Sequence, residues 1–239
     1  MNDARFRPQM QYRLRMAYST RPRIGITADI ARDDHGRARH QVRATYIDAV
    51  VAAGGLPIIL PADAKLRAEL ISVVDGVIII GGDDVDTRLL GIPLHPQAKV
   101  MDAARQAADF ALLTQLDATP KMPVLGICLG MQLMGVHHGA ELIQHLGDQL
   151  VDSDRHRNDF QHMVTSALGN GLVASAHHQA LGSAAHLEVI GVSDDGVIEA
   201  IRDPSKPFYV GVQWHPERTD DITMGLGVIR RLVDAARRE

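Results

Sequence analysis

The segment Pro123-Val124-Leu125-Gly126-Ile127-Cys128-Leu129-Gly130 decides the fold. Five residues of strand length and apolar character run into Gly-x-Cys-x-Gly, and residues 129–138 then read as a helix. A strand that turns this tightly into a helix places the central side chain at a strained backbone position. Small residues two before and two after let the flanking segments approach. Outward from this unit, residues 23–30, 56–60 and 76–80 are further apolar strands, and residues 42–53, 64–73 and 103–116 are helical. Strands that are apolar throughout and alternate with helices predict an α/β fold with a parallel sheet covered on both faces.

Beyond residue 180 the rhythm changes. Residues 187–192, 196–201 and 208–213 are strand-like, and the turns Ser193-Asp194-Asp195-Gly196 and Asp203-Pro204-Ser205-Lys206 separate them. This spacing predicts antiparallel hairpins added to the sheet. Residues 222–238 close the chain as an amphipathic helix, and residues 146–170 are the least readable part.

The 239 residues suit one large α/β domain, with 46% apolar and 23% charged residues, which excludes a largely disordered chain. Aromatics are 4%, so the core is aliphatic. The net charge of −4 gives no signature for nucleic-acid binding. One cysteine excludes an intramolecular disulfide framework, and no apolar run approaches a bilayer span. Residues 1–22 are expected to form a mobile arginine-rich tail, with Arg5, Arg7, Arg13, Arg15 and Arg21, ahead of a single domain at 23–239. Without an apolar stretch between those charges the N-terminus is not read as a secretory signal, and a cytoplasmic protein is expected.

Cys128, opening a helix, meets the macrodipole that favours thiolate over thiol. The amide of Leu129 can point at a developing oxyanion. A thiol nucleophile needs a base and the base an orienter. Of twelve histidines, His215 lies directly after the strand-like run that ends at Trp214, where α/β sheets bind ligands. Glu217 follows two residues on, past Pro216. On spacing alone, an ordinary surface turn explains Trp214-His215-Pro216-Glu217 equally well. His137, His138 and His145 lack a partner that completes a metal-ligand spacing, and Gly81-Gly82-Asp83-Asp84 lacks the Gly-Lys-Ser/Thr ending of a phosphate-binding loop.

Gly126-Ile127-Cys128-Leu129-Gly130-Met131-Gln132 and Gly211-Val212-Gln213-Trp214-His215-Pro216-Glu217 together resemble the class I glutamine amidotransferase superfamily. Within it, the chain is most similar to the gamma-glutamyl-gamma-aminobutyrate hydrolase group of cysteine peptidases. Residues 46–61, Gly81-Gly82-Asp83-Asp84-Val85-Asp86 and Asp195-Gly196-Val197-Ile198-Glu199-Ala200 carry the likeness further. The resemblance implies a flavodoxin-like three-layer sandwich, mostly parallel, with an added antiparallel portion. It implies Cys128 as nucleophile, His215 as base then acid, and Glu217 as orienter. Gly82 (or Gly81) and Leu129 would supply the oxyanion amides, while Gln132 and the loop through His177 and His178 would hold the glutamyl group. No metal or other cofactor is expected. The chain departs from the group's usual residues at Leu129, Thr87, Leu90 and the stretch from Arg105 to Asp109, near where substrate is selected.

The function this implies is hydrolysis of the gamma-glutamyl amide bond of a small amine or amino acid through a thioester. The small-molecule substrate is the expected partner, without nucleic acid or membrane, and self-association is left open. One alternative is a glutaminase subunit that delivers ammonia to a separate synthase. The other is a catalytically weak binding or regulatory module on the same fold.

Overall fold

The computed structural model describes residues 21–237. Of the arginine-rich segment expected at residues 1–22, all but the last two residues lie outside that range. A nine-stranded sheet organises the chain. Its parallel half comprises β1 (Arg23–Thr27), β4 (Leu56–Leu60), β5 (Gly76–Ile79), β6 (Val124–Ile127) and β13 (Tyr209–Val212). Their spatial order, β4-β1-β5-β6-β13, is the flavodoxin order, in which the second strand lies outside the first and the third to fifth follow on the other side.

The antiparallel half continues from β13 through β12 (Ile198–Arg202), β11 (Glu188–Ser193), β8 (Phe160–Ser166) and β9 (Gly169–Ser175). The hairpins expected after residue 180 are present. The β8–β9 pair lies mostly in the stretch that the sequence left unread. A separate polar hairpin, β2 (Asp29–Arg32) and β3 (Ala38–Gln41), was also not anticipated; residues 23–30 break at Ala28 rather than forming one strand.

Residues of β5, β6 and β13 are buried throughout, because helices cover both faces. On one face, α1 (Ala44–Ala52) and α5 (Leu226–Ala235) pack over Ile24, Ile78, Leu125 and Val212 through Val50, Val228 and Leu232. On the other, α2 (Arg67–Ser72), α3 (Ala103–Asp117) and α4 (Leu129–His137) cover Val77, Ile79 and Val124 through Ile71, Leu112 and Met134. Neighbouring residues of one strand thus enter opposite cores, as the alternation of side chains along a strand requires. A short pair, β7 (Leu142–Ile143) and β10 (Ala180–Leu181), lies after α4 and carries the chain back toward the sheet's carboxyl ends.

Candidate active site

The turn from β6 to α4 puts Cys128 at φ 53°, ψ −109°, a positive φ that non-glycine residues rarely adopt. The surrounding glycines explain how the chain tolerates it. A β-carbon on Gly126 would lie 2.3 Å from Met134 Sδ, and one on Gly130 would lie 2.1 Å from the carbonyl oxygen of Ile79. Met134 could swing aside, but the Gly130 carbonyl stands 2.8 Å from a β-carbon at Gly126 as well, so fixed backbone crowds both sites and favours glycine at each. The amide of Cys128 donates to Val212 O at 2.8 Å and ties the elbow to β13.

β13 delivers the second component. Past its end, Trp214 is wholly buried and its indole N–H donates to Met224 O at 2.8 Å, which fixes the exit of the chain. The His215 amide donates to Ala174 O at 2.9 Å. A single 3₁₀ turn, Pro216–Arg218, folds Glu217 back beneath the ring. A carboxylate oxygen accepts, so His215 Nδ1–H donates to Glu217 Oε1, at 2.8 Å, and Nε2 is left for the sulfur side. Burial disfavours the imidazolium, but the charge and hydrogen bonding of Cys128, followed by Glu217, overcome it and raise His215 to about 9. A charge on the Cys128 sulfur and a proton on the ring therefore favour one another. Gly81 packs between the two groups: a β-carbon there would lie 3.0 Å from His215 Cε1 and 3.5 Å from Cys128 Cβ.

The two glycines after β5 differ in what their amides do. The Gly81 N–H donates to the Tyr46 hydroxyl at 3.1 Å. The Gly82 and Leu129 amides have no hydrogen-bond partner among the described residues. Arg105, wholly buried on α3, holds this turn from behind: Nη2 donates to Ile80 O at 3.0 Å and to Gly81 O at 2.9 Å. Its Nη1 donates to Asp29 at 2.9 Å, and Asp109 lies beside its Nε. Because a trans peptide directs C=O and N–H to opposite sides, holding Gly81 O on the Arg105 side turns the Gly82 N–H away from it.

Cys128 lines two cavities. The smaller, about 310 Å³, also exposes Gln132, Asp84, Lys99, Arg157 and the 176–179 loop; the larger, about 610 Å³, exposes Arg43, Tyr46, Asp159, His215 and Arg218. Gln132 is nearly buried and its amide nitrogen donates to Gln179 O and Gln213 Oε1, at 3.0 and 3.2 Å. His178 donates from Nε2 to Asp84 Oδ2 at 2.8 Å. The His177 ring turns inward, with Nε2 3.5 Å from Glu199 Oε1. Sequence reasoning missed Gln213, whose side-chain amide lies 3.6 Å from Cys128 Sγ, as well as Tyr46 and Arg105 as supports of the site. Gln213 sits two residues before His215, a signal that was available; the partners of Tyr46 and Arg105 are too distant in sequence to be read.

A family model described as Peptidase C26 matches residues 22–217. The chain belongs to the Peptidase C26 family. Members of this family are glutamine amidotransferase-like, and hydrolase activity goes with it. The chain is 31% identical to the gamma-glutamyl-gamma-aminobutyrate hydrolase PuuD of Escherichia coli K12, over 76% of this chain and 80% of that protein. It is 34% identical to a candidate glutamine amidotransferase, Rv2859c, of Mycobacterium tuberculosis, over 91% of this chain and 76% of that one. Among solved structures, a candidate GMP synthase subunit from Thermoplasma acidophilum superposes with a TM-score of 0.62 at 14% identity, covering 90% of this chain and 94% of the other, and shares the fold. No helix among the described residues is long and apolar enough to cross a membrane.

Proposed function

We propose that this C26 member hydrolyses the gamma-glutamyl amide bond of a small amine or amino acid, with Cys128 as nucleophile. The observation that carries this reading is the placement of Cys128 between two cavities, with the His215–Glu217 pair on one side and two unpartnered amides on the other. The smaller cavity suits the glutamyl half. Its cations Lys99 and Arg157 and its anions Asp83 and Asp84 match an α-carboxylate and an α-ammonium group. The larger cavity suits the amine.

The Cys128 sulfur attacks the side-chain carbonyl carbon of the glutamyl group. The resulting oxyanion accepts hydrogen bonds from the Gly82 and Leu129 amides, each contributing about 3–4 kcal/mol to transition-state stabilisation. His215 Nε2–H protonates the departing nitrogen, the carbon–nitrogen bond breaks and a thioester remains. Now neutral, His215 takes a proton from water, whose oxygen attacks the thioester; glutamate leaves and the Cys128–His215 pair is restored. Glu217 keeps the imidazole in the tautomer both steps use.

The test is glutamate release from a panel of gamma-glutamyl amines, with Cys128→Ala as control. Release by wild type alone is expected. Release by both proteins refutes the role of Cys128, and release by neither refutes the hydrolase. Turnover of glutamine that appears only with an added synthase refutes it in favour of ammonia delivery.

A further inference from the structure

Behind the candidate site, four side chains from separate segments converge on one buried carboxylate. His156 closes a 3₁₀ turn, Ser153–His156; His162 is on β8, His177 follows β9 and Glu199 is on β12. All four are buried, and none of them carries a step of the proposed hydrolysis. One ligand atom each from His156, His162 and Glu199 lies within 4.8 Å of the other two.

The hydrogen bonds fix what faces the centre. The Asp195 carboxylate can only accept, so His156 Nε2–H donates to it at 2.9 Å, and Nδ1 is turned toward Glu199 Oε1 at 3.5 Å. Gln179 O can only accept, so His177 Nδ1–H donates to it at 2.9 Å, and Nε2 is turned toward the same Glu199 oxygen, also at 3.5 Å. His162 Nε2 lies 3.1 Å from that oxygen. Among the described residues, His156 Nδ1, His162 Nδ1, His177 Nε2 and Glu199 Oε2 have no hydrogen-bond partner. In neutral imidazoles, two nitrogen lone pairs therefore point at a carboxylate, in a place water does not reach. Two things relieve that: a second proton on the rings, which makes both nitrogens donors, or a central cation, which all the lone pairs can share.

The spacing and the outer partners both suit such a cation. Tetrahedral zinc with nitrogen and oxygen ligands at about 2.0–2.1 Å holds them about 3.3 Å apart, and the three nitrogens lie 3.1, 3.5 and 3.5 Å from Glu199 Oε1. Metal-bound imidazoles characteristically donate their other N–H to a carboxylate or a backbone carbonyl. Asp195 and Gln179 O are those acceptors for His156 and His177. We propose that His156, His162 and Glu199 form a structural site for one zinc ion, with His177 Nε2 facing the same carboxylate oxygen. The site would join β8 and β12 to the Ser153–His156 turn, whose last carbonyl accepts from the His177 amide at 2.7 Å in the loop that lines the smaller cavity. It would also brace the backbone beside Gln213, whose amide donates to Glu199 O at 2.8 Å.

The experiment is elemental analysis of untagged, full-length protein from zinc-supplemented culture, beside His162→Gln, Glu199→Gln and Cys128→Ser. Close to one zinc per chain is expected in wild type and in Cys128→Ser, with a loss of at least tenfold in the other two variants. If those variants do not fold, wild type is unfolded with chelator and refolded with Zn²⁺ or Co²⁺. A higher Tm with metal, and visible Co²⁺ bands of tetrahedral intensity, are expected. Less than a tenth of an equivalent in wild type, with the same Tm after refolding in chelator as in zinc, overturns the proposal. An equivalent of zinc that persists in both His162→Gln and Glu199→Gln overturns it too. Glutamate release plays no part in these measurements, so failure of the hydrolase reading and failure of the metal site are separately visible.

Discussion

Gly82→Ala offers the sharpest test of the two-amide oxyanion pocket. A β-carbon at Gly82 would stand 2.1 Å from Arg105 Nη1 and 3.1 Å from Leu129 Cδ2, where ordinary contacts begin at 3.4 Å. One of the two must therefore move by more than about 1 Å. Arg105 is poorly placed to yield, because it is wholly buried and bound to Ile80 O, Gly81 O and Asp29. The Gly82 backbone is displaced instead, and its amide leaves the position of the developing oxyanion. Loss of one such donor costs about 2.7–4 kcal/mol, or about 10²–10³-fold in kcat. The assay is hydrolysis of a gamma-glutamyl anilide, run beside alkylation of Cys128 by iodoacetamide, a displacement that forms no oxyanion. The expected result is a kcat reduced by that factor with KM within about threefold, while alkylation proceeds at the wild-type rate. A folded Gly82→Ala protein with kcat within threefold of wild type would refute the assignment of this amide.

Because His215 is raised to about 9, the protonated ring that serves the leaving nitrogen is lost as pH climbs past that value. The rate should fall on the alkaline side there, and Glu217→Gln, which removes a charge that raises the ring, should move this limb down by about one pH unit; an unmoved limb counts against Glu217 as orienter. Trp214→Phe removes the indole donor and strands the buried Met224 carbonyl, so chemical denaturation should show a loss of about 1–3 kcal/mol. Gly130→Ala drives a methyl group into the Ile79 carbonyl oxygen; it should lower stability by about 1–3 kcal/mol and slow Cys128 alkylation, and a variant with unchanged Tm and reactivity would contradict the packing described for the elbow.

What the sequence disclosed tracks how each segment spends its side chains. Val124 to Ile127 is buried on both faces, so a short apolar run leading into Gly-x-Cys-x-Gly sufficed to read the strand and the turn that holds Cys128. The β8 strand reverses the usual signal. It buries His162 and Val164 while Phe160 and Met163 face outward, so alternation pointed to no strand. The β2–β3 hairpin buries almost nothing, and its charged residues carry no apolar period. Local pattern put Cys128 and His215 just past strand ends, but on spacing alone Trp214 to Glu217 was equally an ordinary turn; the grouping of Cys128, His215 and Glu217 came from the resemblance. The supports were not legible: Arg105 reaches Gly81 across 24 positions, and Gln213 reaches Cys128 across 85. Such convergence is a property of the folded sheet rather than of any local pattern.

The dihedrals of Cys128 carry a consequence for what chemistry this turn can ever host. At φ 53° and ψ −109°, a side chain that forks at its first carbon collides with its own main chain. Threonine is shut out on those grounds before any reaction is considered. Cysteine and serine, with a single heavy atom on that carbon, remain eligible, so the bend of the polypeptide itself narrows the repertoire of nucleophiles from which this scaffold could draw.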